Sequence, residues 1–196
     1  MNVLWLGFVS ALCSQGPPPE LETVAENLRQ PGAKVMIGRK EEGSGWEVWF
    51  DWQGKATNES FVRLHDVPKL GAIRFLGGGF DDRGVAKLKN LPDLHLLVLF
   101  SEGLTDKCLE SIVQLKGLKK LDLSYARLTG RGLKKLKELP KLERLYLYNA
   151  RFEDRDAEAL TAIKSLTILD LPMNLSSRMI DRLRKALPRT QVQQRK

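Results

Sequence analysis

The sequence predicts an α/β solenoid, with a parallel sheet on the concave side and helices on the convex side. Three observations carry this. A block of 24 residues recurs along the chain. Each block holds an alternating apolar segment followed by an apolar stripe of helical spacing. No block has enough apolar residues to close a core alone, so neighbouring blocks must stack and share one.

The repeat starts at Val67-Pro68-Lys69-Leu70. Steps of 24 lead to Leu91-Pro92-Asp93-Leu94, Leu115-Lys116-Gly117-Leu118, Leu139-Pro140-Lys141-Leu142 and Ile163-Lys164-Ser165-Leu166, then to Leu187-Pro188-Arg189-Thr190. From each of the first five starts L-x-x-L-x-L returns, at 70/73/75, 94/97/99, 118/121/123, 142/145/147 and 166/169/171. Alternation of this kind is a short strand with one buried face. A turn follows: Asp81-Asp82-Arg83-Gly84-Val85, Thr105-Asp106-Lys107-Cys108-Leu109 and Thr129-Gly130-Arg131-Gly132-Leu133. The pairs Val85/Leu88, Leu109/Ile112, Leu133/Leu136 and Ala157/Leu160 are then three apart, as on a helix. Thr105 and Thr129 stand at N-cap positions, and Asp82, Asp106 and Asp154 fall in first turns, where the helix dipole favours an anion. Each buried leucine of the ladder contributes roughly 1.5 to 3 kcal/mol of transfer free energy.

The 24-residue L-x-x-L-x-L…T-D-x-G-L block resembles a leucine-rich repeat. It is similar to the helical subtype of bacterial exported leucine-rich repeat proteins and of F-box-associated arrays. The resemblance covers about residues 33–192 and implies a horseshoe. It also implies a non-enzymatic module that binds a protein or ligand through its concave face. An F-box would add a role as substrate adaptor in a ubiquitin-ligase-like complex, but no such segment precedes the array.

The ends depart from the template. Leu21, Val24, Ala25 and Leu28 form a helical stripe closed by Pro31-Gly32, and two strand-like segments follow at 34–37 and 47–50. Residues 17–45 are therefore expected as linker and cap, and 46–192 as the array, its first repeat degenerate. A capping strand is expected to end at Val192, and 193–196 read as a polar tail. Residues 1–16 read as an export signal: a ten-residue apolar run at 3–12, then small residues and prolines. Cleavage after Cys13 would leave Cys108 as the one cysteine of the mature chain. No basic residue precedes the run, so an apolar arm on a cytoplasmic protein stays open as the alternative to a secreted or periplasmic one.

Composition excludes several classes. The 196 residues are 42% hydrophobic, too many for a disordered chain, and no apolar run is long enough to span a bilayer. Two cysteines cannot build a disulfide framework or a four-ligand zinc site. The net charge of +8 is uneven: 19–66 carry −3 and 67–196 carry +11. Basic residues gather at Lys116, Lys119, Lys120, Arg131, Lys134, Lys135 and Lys137, which could attract nucleic acid, an anionic polymer or a membrane surface. Aromatic residues are not interleaved with them, so a solvated convex face is expected and nucleic acid is not.

Catalytic parts are missing. His65 and His95 lack a nucleophile in any recognisable motif, Gly77-Gly78-Gly79 lacks the Lys-Ser/Thr of a phosphate loop, and no cofactor or metal set is visible. Asp81 and Asp82 read as a helix cap and dipole partner. Cys108 stands at a helix start, where a thiol can be activated, but a semi-buried structural role is expected. The expected site is the concave face, at the positions flanking each buried leucine. Leu96, Val98 and Phe100 place three large apolar side chains there, predicting an exposed apolar patch for a protein partner or a second copy. Trp49, Arg74, Leu76, Arg144, Tyr146 and Tyr148 complete the set, and Trp, Tyr and Arg are the usual anchors of interfaces.

Overall fold

Eight strands follow one another across a single sheet, in chain order, in the computed structural model of the protein. The structure describes residues 19–28, 35–38, 45–50 and 56–194. The expected export segment, Cys13 within it, lies outside these.

Helix α1 (Pro19–Leu28) opens the described chain and buries Leu21, Ala25 and Leu28, the stripe read from the sequence. Strand β1 (Val35–Gly38) pairs antiparallel with β2 (Trp46–Phe50), and every later pairing is parallel. The following strands are β3 (Leu70–Phe75), β4 (Leu96–Leu99), β5 (Lys120–Asp122), β6 (Arg144–Tyr146), β7 (Ile168–Leu171) and β8 (Gln191–Gln194).

Register explains the repeat. Ile73, Leu97, Leu121, Leu145, Leu169 and Val192 stand opposite one another across β3 to β8 and are all buried. A 24-residue step brings the same pattern position to the same place on each strand from β3 to β7, and the last step, to Val192 on β8, is 23. At the last strand β8 continues through Gln193 and Gln194, and the Gln194 side-chain amide donates to the Pro172 carbonyl at 2.8 Å. The expected tail therefore begins later than 193, because glutamines can extend the ladder with backbone bonds alone.

The convex side is less helical than the apolar spacing suggests. Its helices are α2 (Asp82–Val85), α3 (Asp106–Ile112), α4 (Gly130–Lys135), α5 (Asp154–Ala157) and α6 (Ser177–Ala186). Tight 3-10 turns extend α4 over Leu136–Glu138 and α5 over Glu158–Ala162, and the first repeat has only such turns, Asn58–Phe61 and Leu64–Asp66. The remainder of a 24-residue block, after strand and loops, is too short for a long α-helix. A 3-10 turn advances further per residue and closes the distance.

The first-turn aspartates do more than face a helix dipole. Asp82 accepts from the Thr105 N–H at 2.8 Å and from its hydroxyl at 2.6 Å. Asp106 does the same to Thr129, at 2.8 and 2.5 Å, and Asp154 accepts from the Ser176 N–H at 3.0 Å and from its hydroxyl. Each carboxylate thus bolts its own helix start to the cap of the next repeat. Thr105 also caps α3 by accepting from Lys107, whereas Thr129 makes no side-chain cap bond. The missing member is Gly130, where the template has Asp; its N–H donates instead to Asp156 at 2.7 Å.

The first repeats are joined by aromatic rings. Phe75 lies edge-on to Phe50, Phe61 and Phe80, with centroids 4.3, 4.6 and 5.7 Å away, and all four are at most 1% exposed.

Candidate interaction surface

Alternation along the strands lifts two rows of side chains onto the concave face. One runs Glu47, Ala72, Leu96, Lys120, Arg144, Ile168 and Gln191. The other runs Met36, Trp49, Arg74, Val98, Asp122, Tyr146, Asp170 and Gln193. The sequence-predicted residues Trp49, Arg74, Leu96, Val98, Arg144 and Tyr146 therefore share one surface. Leu76, Phe100 and Tyr148 follow the ends of β3, β4 and β6 at its rim. Glu47 and Met36 were not anticipated. Met36 could only be placed once β1 was known to pair in register with Trp49.

The apolar patch is not exposed as expected. Val98 is 4% exposed, and Leu96 and Phe100 are half-buried. Val98 is short and stands among longer side chains, Arg74 beside it on β3 and Leu96 and Phe100 on its own strand, so water reaches little of it. Arg74 in turn pairs with Glu47 at 3.4 Å, and Glu47 is only 4% exposed. A carboxylate so deeply placed needs its guanidinium partner.

The later strands carry polar groups instead. Asp122 and Asp170 flank Tyr146 in the second row, and the Lys120 ammonium lies 4.7 Å from the centre of the Tyr146 ring. Arg144 is exposed, while Asp170 is 2% exposed. Burial pushes the Asp122 carboxyl up to about 6, with the Asp170 charge adding to it. Hydrogen bonds from the Ser124 N–H and hydroxyl, at 3.0 and 2.5 Å, and the Lys120 charge oppose the rise. Folded Asp122 holds its proton more tightly than unfolded Asp122, so stability falls as pH rises from about 4 to about 6 and stays lower above. Asp122→Asn should therefore stabilise the protein at pH about 7.5, by at most about 3 kcal/mol, and leave it near wild type at pH about 3.5. Urea melts at the two pH values check this; an equal change at both would contradict it.

Beyond the strand ends the rim holds a second group. Phe100 and Tyr125 have ring centroids 6.0 Å apart, and so do Tyr125 and Tyr148. A shallow cleft of about 510 Å³ opens beside them, lined by Asp81, Phe100, Glu102 and Tyr125 among others. Tyr125 was not anticipated, because it follows the alternating positions and enters the row through a left-handed backbone, φ 71°.

The remaining motifs are absorbed by the fold. Gly78 has φ 134° and approaches Ala56 so closely that a β-carbon would lie 2.3 Å from the Ala56 carbonyl oxygen, so this glycine serves a close backbone bridge. Asp81 is engaged by Arg83 at 2.8 Å and by the Asn58 amide at 3.0 Å, and the Arg83 hydrogen bonds hold its carboxyl down to about 2. Cys108 is fully buried rather than semi-buried, and burial with the Asp82 and Asp106 charges pushes its thiol well above the ordinary range. Burial thus disfavours the thiolate at this helix start. Among the basic residues, Lys120 lies on the concave face, Lys135 pairs with Glu110 at 3.0 Å, and Lys116 donates to the Glu138 carbonyl at 3.2 Å. Among the described residues no group of His, Cys, Asp and Glu could hold a metal ion, and no helix is long and apolar enough to cross a membrane.

No protein-family model matches the sequence, and no curated protein matches it. Solved structures do. An internalin, inlF, from Listeria monocytogenes superposes with a TM-score of 0.53 at 20% identity, over 67% of this chain and 36% of that one. A leucine-rich repeat protein of Leptospira interrogans superposes with a TM-score of 0.50 at 25% identity, over 67% of this chain and 33% of that one. The chain spans about a third of the length of either. The open, mostly parallel sheet with short helices outside is the fold they share.

Proposed function

We propose that this leucine-rich repeat protein is a non-enzymatic interaction module that binds a protein partner through its concave face. The observation that carries the reading is the row Asp122–Tyr146–Asp170 with Lys120 and Arg144 beside it. Of the two carboxylates, Asp122 is pushed up to about 6 by burial and accepts from Ser124, and Asp170 is 2% exposed. Arg144 is exposed and Tyr146 and Lys120 keep surface in water, so these three are the groups a partner reaches. The solenoid holds these groups on adjacent strands, so they meet a partner already ordered and lose little freedom on binding.

Within this reading Arg144, Tyr146 and Trp49 supply anchors, Arg74 and Glu47 a rigid ion pair, and Leu96 apolar contact at the rim of the patch. Val98 supports its neighbours from below. The partner is reached outside the cell if residues 1–16 are removed as an export signal, and mass spectrometry of the mature N-terminus decides that. The basic convex lysines gain no support as a site, since several are engaged within the protein.

The test is a double variant, Arg144→Glu with Tyr146→Ala, against a convex control, Lys134→Glu. Both positions of the double variant reach solvent, so the fold should persist. The double variant should lose affinity for a partner at least tenfold, and the control should keep it. Equal retention by both variants would remove the concave reading.

A further inference from the structure

We infer that the rim cleft beside Tyr125 is a carbohydrate-binding site for neutral sugar chains, separate from the concave face. Three observations converge on it.

The first is the aromatic row. Phe100 and Tyr148, two repeats apart, occupy the pattern position held between them by Ser124. The gap left by this small residue is taken by the next one, Tyr125, whose ring stands 6.0 Å from both neighbours at interplanar angles of 59° and 84°. All three rings are half-buried, each keeping some surface in water. The rings are tilted or edge-on to one another, so each partly exposed ring offers its own contact to the C–H groups of a pyranose rather than a share of one flat platform.

The second is the cost of placing Tyr125. Its φ of 71° lies in the left-handed region, which a bulky residue adopts only under constraint. One repeat later the same place is held by Asn149, φ 51°, a residue type that accepts this conformation readily. The solenoid thus carries at this point both the strained solution and the easy one. The ring at 125 is not a requirement of the turn.

The third is the state of the acids. Asp81 and Glu102 both line the cleft, and each already has a guanidinium. Asp81 pairs with Arg83 at 2.8 Å and Glu102 with Arg151 at 2.8 Å. The second pair joins loops two repeats apart and so straddles the repeat that carries Tyr125. Carboxylates neutralised and oriented in this way still accept hydrogen bonds from hydroxyls. A cationic ligand would meet two arginines, and an anionic one two carboxylates. Hydroxyl groups above aromatic faces, without net charge, meet the complement of what the cleft presents. An open, shallow cleft also suits an extended chain better than a small enclosed metabolite.

The experiment uses the full chain with a panel of neutral tetrasaccharides of glucose, mannose and N-acetylglucosamine, read by saturation-transfer NMR and titration calorimetry. At least one should bind, with a response unchanged between low and moderate salt. Tyr125→Asn, which puts the residue of the next repeat in the same turn, should fold at least as stably and weaken that binding tenfold or more. The concave double variant Arg144→Glu with Tyr146→Ala should leave it unchanged, which separates this site from the proposed protein-binding one. Absence of a response to every sugar at millimolar concentration would overturn the inference. So would binding that Tyr125→Asn retains, or binding confined to acidic glycans and lost on adding salt.

Discussion

Phe75→Ala should lower the unfolding free energy by about 3 to 5 kcal/mol, the loss typical of a deleted core phenylalanine. Phe75 is fully buried and touches rings from three other segments: Phe50 on β2, Phe61 in the first convex turn, and Phe80 in the loop before α2. The ring therefore joins the β1–β2 hairpin to the repeats, and its removal leaves a cavity that stacked strands on either side cannot close. Edge-to-face partners add about 0.5 to 1.5 kcal/mol beyond area burial, so the loss should sit at the upper end of the range. In a solenoid each repeat contacts only its neighbours, so the damage should be local. Hydrogen exchange should quicken in β1 to β3 and stay slow in β6 and β7. Uniform acceleration along the whole sheet would contradict that locality.

Gly132→Ala should cost about 1 to 3 kcal/mol alone, and clearly less once Asp106 has been replaced by alanine. A β-carbon at 132 would lie 2.1 Å from one Asp106 carboxylate oxygen and 2.4 Å from its Cγ. The carboxylate would have to leave Thr129, giving up both hydrogen bonds. Asp106→Ala gives them up outright, at about 1.5 to 3 kcal/mol. With the carboxylate gone the nearest remaining contact at 132 is the Cβ of residue 106 at 3.0 Å, which must yield by a few tenths of an ångström, and against that alanine is a better helix former than glycine by about 1 kcal/mol. Cys108 holds the equivalent place one repeat earlier, with the Asp82 charge near it, so a side chain is accommodated there. At α4 the first residue Gly130 is bound to Asp156 and has the Asp156 Cα 3.1 Å from its own β-carbon position, which leaves the helix start little room to shift. Additive losses in the double-mutant cycle would contradict this account.

The ladder of buried leucines was legible in the sequence because burial on a strand has a period of two and the block has a period of 24. Both can be counted without knowing any contact. The carboxylate ladder used residues that were equally visible, yet its bonds were not. Asp82 reaches Thr105 and Asp106 reaches Thr129 across two different repeats, and a pattern within one block shows only a cap and a dipole. Val98 was placed on the correct face but not at the correct depth, since exposure on a concave row depends on the heights of side chains from three strands. Tyr125 escaped for a different reason: its ring reaches the aromatic row through a left-handed backbone that alternation does not describe. Leu97 and Leu121 thus followed from a local rule, while the candidate sites depend on what neighbouring repeats place beside each other.

The claim that matters most is that partners meet the concave face. Photo-crosslinking from single positions tests it most directly, with the reactive residue placed at Arg144 on β6 or at Lys134 on α4, both exposed. The account predicts a discrete covalent adduct from position 144 and none from position 134. An adduct formed from 134, with none from 144, would contradict it.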